Sequence, residues 1–359
     1  MVLEARPLNQ YHIGAALAMA PNAMWVFRQL GIAERITQSG SRIDRYQFVT
    51  PQGRVLKSIN LDQVGKGWGE SAWAVPRTHI LRSLLEALPP GVLVTDSPVT
   101  AIYPGQEIGL DLANNESHKT LMLIGADGAH SIVRDTVWPK LPEAQFQNFV
   151  AMRGVIEYPL PPAWSHSTLQ VWGGRGEFGF SPMGESQVYW FATLPWTDAQ
   201  NLPTRDHFLR HFRQWFAPVN DLLRLTADDD LLIHPIFDQL RPFTEVPWPM
   251  TLIGDAAHLM TPNTGQGACQ GIMDAWVLAQ EVANTTEPLQ AIERYRNLRL
   301  NSALFVARQS HRMGKIIHQR MPLAVKTGML RITPEALIGY SMRRVVGNVR
   351  SVQPQIAVR

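Results

Sequence analysis

Residues 251–267 constrain the fold of this chain more than any other part of its sequence. A short apolar segment ends at Gly254 and Asp255, and a loop then leads to Gly265 and Gly267 at the start of a second apolar run. The first segment predicts a buried strand, and the glycines before the second run indicate the start of a helix. The order of these parts predicts a strand that delivers an aspartate to a tight loop before a helix.

The residue types in this stretch suit a bound flavin. Asp255 can accept a hydrogen bond from a ribityl hydroxyl, and the loop through Pro262 can lie flat against the ring. The backbone N–H groups of residues 265–268, with the positive end of the following helix, can stabilise negative charge on a reduced ring. Gly265 and Gly267 permit this close approach because they carry no Cβ atom. An ordinary strand–loop–helix connection is the alternative interpretation.

A second string of the same kind lies at residues 125–134. Asp127 and Gly128 directly follow another apolar segment, and Ser131 is placed to cap the next helix. Asp127 can bond to the ribose or diphosphate region of a nucleotide cofactor. Because Asp-Gly is also a common turn, this string becomes informative mainly through its position before the first one.

Together the two strings resemble those of the class A FAD-dependent aromatic-ring hydroxylases, flavoprotein monooxygenases with a para-hydroxybenzoate hydroxylase-like fold. Within that family, the two motifs most resemble those of the zeaxanthin epoxidase-like and urate hydroxylase-like branches. Residues 2–4 match the family's second strand with its ribose-binding acid, residues 77–81 match the segment whose arginine contacts FAD, and residues 291–299 match its long C-terminal helix. The resemblance implies FAD contacts from Glu4, Arg77, Asp127, Asp255, Pro262, Gly265, Gln266, Gly267 and Ala268, with Val99 near the adenine.

The sequence departs from the family at its front. The family opens with a strand and G-x-G-x-x-G, and its ribose acid follows about 20 residues later. Here that acid is already Glu4, so a unit of about 25–30 residues has no counterpart. Without the first strand, the second and fourth strands of the sheet are expected to lack a shared neighbour. Two explanations stay open: a true start upstream, or a flavin-free relative that acts as a binding or scaffold protein.

Strand–helix patterns at both ends of the chain flank a mostly antiparallel block, which predicts an α/β fold of two interleaved domains. The Rossmann-like FAD-binding domain, with its first βα unit missing, is expected at 1–40, 76–147 and 241–300. The β-sheet substrate domain inserted into it is expected at 41–75 and 148–240. A basic helical region is expected at 301–359.

The resemblance also implies the chemistry. NAD(P)H reduces FAD, and a flavin C4a-hydroperoxide then hydroxylates or epoxidises a planar aromatic or polyene substrate, so no catalytic side chain is assigned. The β block is expected to wall the substrate pocket, and alternation places Tyr189 and Phe191 on one sheet face with Trp190 on the other. A plain sheet core is the alternative. The candidate pocket residues are Arg153, Phe180, Met183, Tyr189 and Phe191.

Composition narrows the remaining classes of function. With 45% apolar and 18% charged residues the chain is typical of globular proteins, and its net charge of +3 argues against nucleic-acid binding. The lone Cys269 excludes an internal disulfide and a cysteine-cluster metal site, and no metal is expected. The apolar residues 13–20 imitate a secretory signal, but Glu4 before them and Pro21 after them favour a cytoplasmic protein, as a monomer or homodimer.

The charge is unevenly distributed along the chain. Residues 301–359 contain ten lysines and arginines and a single acid, Glu335. This basic region favours a C-terminal helical cap whose apolar side packs on the body and whose charges face water. The alternative is weak peripheral contact with an anionic membrane surface.

Overall fold

The computed structural model describes residues 1–8, 16–246 and 248–347. In the first half of the chain the strands are β1 (Val2–Leu3), β2 (Ala16–Met19), β3 (Ser41–Ile43), β4 (Arg45–Val49), β5 (Val55–Asn60), β6 (Ala72–Pro76), β7 (Leu93–Val94), β8 (Val99–Tyr103), β9 (Ile108–Leu112), β10 (Ser117–Thr120) and β11 (Leu123–Gly125). The later strands are β12 (Gln145–Glu157), β13 (Ser167–Trp172), β14 (Glu177–Met183), β15 (Gln187–Pro195), β16 (Leu232–Asp238) and β17 (Met250–Leu252).

The α-helices alternate with these strands and dominate the C-terminal third. They are α1 (Pro21–Gln29), α2 (Ala33–Thr37), α3 (Leu61–Gly65), α4 (Arg77–Ala87), α5 (Ile132–Val137), α6 (Arg205–Phe212), α7 (Ala217–Leu225), α8 (Asp255–His258), α9 (Gly267–Ala283), α10 (Pro288–His318), α11 (Leu323–Ile332) and α12 (Glu335–Val346). None of the helices in the described ranges is long and apolar enough to cross a membrane.

A seven-stranded sheet forms the larger β layer, in the order β16-β12-β15-β14-β13-β4-β5. Its neighbours are antiparallel except for the parallel pair β13 and β4. Because side chains alternate along a strand, one face carries an apolar set that α6 and α7 cover, and it includes Phe178 and Trp190, with Phe212 of α6 packed against Phe178. We call this the outer face. The opposite side, which carries Tyr189 and Phe191, is the inner face.

Two parallel strand pairs carry the motifs of the predicted cofactor domain. β1 pairs with β7, and β11 pairs with β17. Within the described residues these pairs are separate two-stranded sheets, as expected for second and fourth strands that lack a shared neighbour. The β8–β10 meander lies beside them through apolar contacts between Ile102, Leu110, Val133 and Leu252.

Helix α9 lies between α1 and α10 and leads away from the end of β17. Cys269 on α9 is fully buried against Met24 and Phe27 of α1, as expected for a small structural residue. The part of the signal-like stretch that the structure describes, Ala16–Met19, is strand β2. Residues 13–15 of that stretch lie outside the described residues.

The predicted substrate-domain segment 41–75 divides between two sheets. β4 and β5 join the seven-stranded sheet as expected, but β3 pairs with β6, which also pairs with β2. The reason is local packing, because Val75 of β6 belongs to the same apolar cluster as Met19 of β2 and the residues of α1. The other domain boundaries stay predictions.

Candidate active site

The two aspartate strings meet at one edge of a sheet. β11 and β17 are parallel and in register, with Gly125 opposite Leu252. Asp127 and Asp255 therefore leave neighbouring strands at their carboxyl ends, where open α/β sheets bind their ligands. Glu4 leaves β1 in the same way.

Buried charges support the turn that presents Asp255. Gly254 has φ +59° and ψ −141°, a region that only glycine enters at low cost, and its N–H donates to Asp274 Oδ2 over 3.0 Å. Asp274 is fully buried and also bonds to His258 Nε2 at 2.5 Å and to Arg299 Nε at 2.9 Å. Burial opposes ionisation of Asp274, but His258 and Arg299 outweigh it and hold its pKa below the ordinary value. His258 therefore acts as a structural residue that supports this turn.

Asp255 itself makes no hydrogen bond to any described residue, and its side chain reaches solvent. Desolvation by the surrounding protein raises its pKa, and His258 opposes the shift only partly. Its Oδ1 atom lies close to the start of α9, since a Cβ atom on Gly267 would come within 3.9 Å of it. An accessible, partly desolvated carboxylate without a protein partner is suited to accept a hydrogen bond from a ligand hydroxyl.

The loop after Asp255 has a defined shape. Pro262–Thr264 forms a 3₁₀ turn that ends at Gly265 in the left-handed conformation, with φ +64°. A Cβ atom on Gly265 would meet nothing within 4 Å, so this part of the loop borders open space. The Gly265 N–H donates to the Pro262 carbonyl over 2.9 Å, so it is engaged within the loop, and the contact of Gly265 with a flavin stays a prediction.

The N–H donors predicted further along the loop belong to the opening of α9. Gly267 and Ala268 lie in the first turn of that helix, whose N–H groups have no intrahelical acceptor. The Gln266 side chain accepts hydrogen bonds from Asn22 and Gln270 and joins α1 to α9. Free carboxylate, free donors and open space beside Gly265 together fit a flavin.

Asp127 differs from Asp255 because its carboxylate is already engaged. It accepts hydrogen bonds from the Ser131 hydroxyl and, over 3.2 Å, from the Val133 N–H. Ser131 in turn accepts from the Arg134 N–H over 3.0 Å, as expected of a helix cap. Asp127 is exposed, so its remaining lone pairs can still meet a ligand.

The other predicted flavin contacts lie on separate elements. Glu4 follows β1 and accepts from the Arg6 N–H over 2.9 Å. Arg77 is the first residue of α4. Val99 begins β8 and packs partly buried against the cluster that contains Leu252. Their contacts with FAD stay predictions.

The inner face of the sheet carries successive rows of side chains that the register defines. Ala151, Thr193 and Glu177 form one row, followed by Arg153, Phe191 and Gly179, and then by Val155, Tyr189 and Ser181. The first row contacts the loop that follows Asp255, because Asn263 Nδ2 of that loop donates to Oε1 of Glu177 over 2.9 Å. The rows with Arg153 and Tyr189 therefore start one residue pair away from the predicted ring-binding loop.

Three polar side chains on this face have no hydrogen-bond or ion-pair partner among the described residues: Arg153, Tyr189 and His234. Desolvation raises the pKa of Tyr189, while the positive charge of Arg153 lowers it in part. Desolvation lowers the pKa of His234, and Arg153 adds to this effect. The three groups are therefore close enough to interact and remain available to a ligand.

The predicted pocket residues divide between the two faces. Phe191 lies flat on the inner face against Gly179, where a Cβ atom would approach its ring to 2.2 Å. Met183 follows Ser181 by two positions and so belongs to the inner face too. Phe180 is the exception, because it is fully buried in the outer cluster against Trp164 and Phe216. It does not line the inner face.

Sequence reasoning missed a buried polar network around Glu177. Its carboxylate bonds to Asn263 and to Gln170, which accepts from the Tyr46 hydroxyl over 2.8 Å. Burial raises the pKa of Glu177 to about 7, against the effects of these hydrogen bonds and of Lys326. Buried Lys326 donates to two backbone carbonyls, and burial lowers its pKa to about 8.

A signal for these residues was present in the sequence. Glu177 opens a mostly apolar strand, His234 interrupts another, and Asp274 lies between apolar residues in the middle of α9. Charged side chains are almost never fully buried without a partner. A lone charge in an apolar segment therefore marks a polar partner elsewhere in the fold, although it cannot say which one.

Comparison with known proteins gives matches over most of the chain. Residues 1–310 match the model of the FAD binding domain family. Aurachin C monooxygenase/isomerase of Stigmatella aurantiaca is 30% identical over 307 residues, covering 85% of this chain and 80% of that protein. The 3-amino-4-hydroxybenzoate 2-monooxygenase PtnB3 of Streptomyces platensis is 30% identical over 319 residues, covering 85% and 79%.

The fold also has solved counterparts. The crystal structure of Klebsiella pneumoniae HpxO complexed with FAD and uric acid has a TM-score of 0.87 and 22% sequence identity, covering 96% of this chain and 89% of that chain. The family match over residues 1–310 includes every predicted flavin contact, from Glu4 to Ala268.

Proposed function

Because this chain belongs to the family of FAD-dependent aromatic-ring hydroxylases and is an FAD-dependent monooxygenase, we propose that it oxygenates a planar ring held on the inner face of the sheet. NAD(P)H and dioxygen are the proposed co-substrates. The observation that carries the proposal is a set of polar groups without a partner among the described residues, Arg153, Tyr189 and His234. They lie on the sheet face whose Glu177 bonds to Asn263 in the loop after Asp255.

The residues that would hold FAD are those at the carboxyl ends of the strands. Asp255 would accept from the ribityl chain, the first turn of α9 would face the ring, and Asp127 and Glu4 would meet the ribose and diphosphate region. The chemistry that FAD supplies when bound is two-electron transfer from NAD(P)H to dioxygen, with one oxygen atom entering the substrate and the other leaving as water. The protein contributes positioning and exclusion of water.

The inner face favours an aromatic substrate with an acidic or electron-rich oxygen. Relatives carry 3-amino-4-hydroxybenzoate and 2-heptyl-3-hydroxy-4(1H)-quinolone in their names, and uric acid is bound in the HpxO structure. These are planar rings with oxygen and nitrogen substituents. Arg153 would pair with such an oxygen, Tyr189 would donate a hydrogen bond, and Phe191 would pack against the ring. A polyene offers no polar group to Arg153 and is the less favoured substrate.

The side chains of this face also have a role in the reaction itself. Arg153 would stabilise the negative charge of a ring oxygen as the ring becomes nucleophilic. Tyr189 has a raised pKa, which keeps its hydroxyl protonated and able to donate at neutral pH. Met183 and Phe191 would keep water from the reacting carbon.

The test combines spectroscopy with isotope labelling. The purified protein is expected to show flavin absorption and to oxidise NAD(P)H faster with 3-amino-4-hydroxybenzoate or a 4-quinolone as probe ring. One atom from ¹⁸O₂ is expected in the product. NAD(P)H oxidation without labelled product would instead indicate a reductase, and an absence of flavin bands would favour the flavin-free binding protein.

A variant pair separates the substrate face from general effects. Arg153→Met is expected to raise KM for the responsive ring by about tenfold or more, because a hydrogen bond to a charged group is lost. Its flavin spectrum should not change. Arg210→Met, on the exposed side of α6, is the matched control and should behave as the unchanged protein.

A further inference from the structure

The family match ends at residue 310, but the described chain continues into α11 and α12. Their inner sides are fixed to the body. Leu330 and Val346 are buried in the cluster that contains Ile59 of β5, and Lys326 donates to the carbonyls of Gly174 and Ile317 over 2.7 and 2.6 Å. The inner sides of α11 and α12 therefore pack on the body of the protein, as predicted for a helical cap.

The outer sides of the same helices are also apolar, and packing does not explain them. On α11, Val325, Met329 and Ile332 are spaced by four and three residues and so form one stripe, with Ile332 81% exposed. Leu337 and Tyr340 form a stripe on α12, each more than half exposed. Both helices contact β5, so their outer sides face away from the same strand. We call these five residues the outer stripe.

The two helices of the outer stripe and the segment before them carry positive charges without ion pairs among the described residues. Arg320, Arg331 and Arg343 are exposed, and none of them makes an ion pair within the described ranges. Arg344 lies over the Phe305 ring at 4.9 Å and forms no ion pair with a carboxylate of the described residues. Glu335 is the single acid of residues 301–359. A water-facing helix side would carry mixed charges, whereas this one combines apolar side chains with a positive rim.

We propose that the outer stripe and its arginines dock on the surface of an anionic lipid bilayer. The apolar side chains would enter the boundary between headgroups and acyl chains, and the guanidinium groups would contact lipid phosphates. This inference goes beyond the proposed function, because it concerns residues outside the family match and uses no step of the reaction.

Charge decides between a lipid surface and a second copy of this chain. A symmetric dimer through the outer stripe would bring two sets of unpaired arginines together, and like charges facing each other oppose association. An anionic bilayer instead offers both a hydrophobic boundary and negative charge. The contact is peripheral, since none of the described helices can span a membrane.

Sedimentation with vesicles tests the proposal on the full chain. The protein is expected to bind vesicles of phosphatidylcholine with about one third phosphatidylglycerol, to bind less as salt is raised, and not to bind pure phosphatidylcholine. Met329→Glu/Ile332→Glu and Arg331→Glu/Arg343→Glu are each expected to weaken binding by about tenfold or more. Leu225→Glu is the matched control, because Leu225 is 63% exposed on α7.

Thermal melting of the same variants shows whether they remain folded, as the exposure of these side chains leads us to expect. Equal binding of all variants to the anionic vesicles would overturn the proposal, as would no binding by the unchanged protein at about 0.15 M salt. A concentration-dependent dimer that disappears in Met329→Glu/Ile332→Glu would assign the stripe to a second copy instead.

Discussion

Asp127 and Asp255 follow neighbouring parallel strands in nearly the same sequence context, yet the fold uses them differently. The Asp127 carboxylate accepts hydrogen bonds from Ser131 and Val133 and holds the start of α5. The Asp255 carboxylate bonds to no described residue and is partly desolvated. The support for its turn comes from a different acid, Asp274, through the Gly254 N–H.

The comparison separates stability from binding. At Asp127 one side chain serves the helix cap and, by our proposal, the cofactor. Around Asp255 the two tasks are divided, since Asp274 stabilises the turn and leaves Asp255 free for a ligand. The difference predicts opposite responses to substitution on the two sides of the site.

The largest effect is expected from substitution of Asp274, because this residue stabilises the turn that presents Asp255. Asp274→Ala leaves Arg299 and His258 buried without their partner, which typically costs about 3–5 kcal/mol of unfolding free energy. Denaturant unfolding of the flavin-free protein measures it. The exposed Asp62→Ala, which removes an ion pair with Arg42, is the control and should cost about 1 kcal/mol or less. Similar costs for both would remove the support we assign to Asp274.

The next largest effect is expected at Glu177, a sheet residue that accepts a hydrogen bond from Asn263 in the loop after Asp255. Its pKa of about 7 lies above its unfolded value, so it favours folding at low pH and loses this contribution as the pH rises towards and through 7. Relative to Glu177→Gln, the unchanged protein should lose about 2–3 kcal/mol of unfolding free energy between pH 5 and pH 8. Glu185→Gln in the exposed turn is the control. Parallel pH profiles for protein and Glu177→Gln would contradict the prediction.

Asp255→Asn sharpens the comparison on the binding side. We expect FAD affinity to fall by about 10- to 100-fold, the value of one hydrogen bond to a charged group. The stability of the flavin-free protein should be unchanged or higher near pH 7, because a desolvated carboxylate without a partner is removed. Flavin titration and thermal melting measure the two quantities. A lower melting temperature of the flavin-free Asp255→Asn protein would show that Asp255 stabilises the fold, as Asp127 does.

The smallest effect is expected at Asp127. Asp127→Ala removes two hydrogen bonds at the start of α5 and should lower the unfolding free energy by about 1 kcal/mol, as for other lost helix caps. Ser131→Ala should cost a similar amount. Because the two side chains share one network, the double variant should cost less than the sum. Strict additivity would argue against a shared cap.

The sequence predicted the strand, the turn and the helix start at residues 251–267 because all their signals are local. It also correctly placed Tyr189 and Phe191 on one face of the sheet and Trp190 on the other, because side chains alternate along a strand with a period of two. The error at Phe180 has the same origin. Alternation separates two faces of a strand but does not say which face a helix pair will cover, and α6 and α7 cover the side of Phe180.

The sequence by itself determined the family, the α/β class and the residues that meet at the ends of β11 and β17, because contiguous motifs carry that information. Only the tertiary structure decided that Asp127 is engaged while Asp255 is free. It alone brought Glu177 to Asn263 across 86 positions and left the outer stripe of α11 and α12 uncovered. Hydrogen bonding and burial depend on residues that are distant in the chain, and a local sequence pattern does not identify those residues.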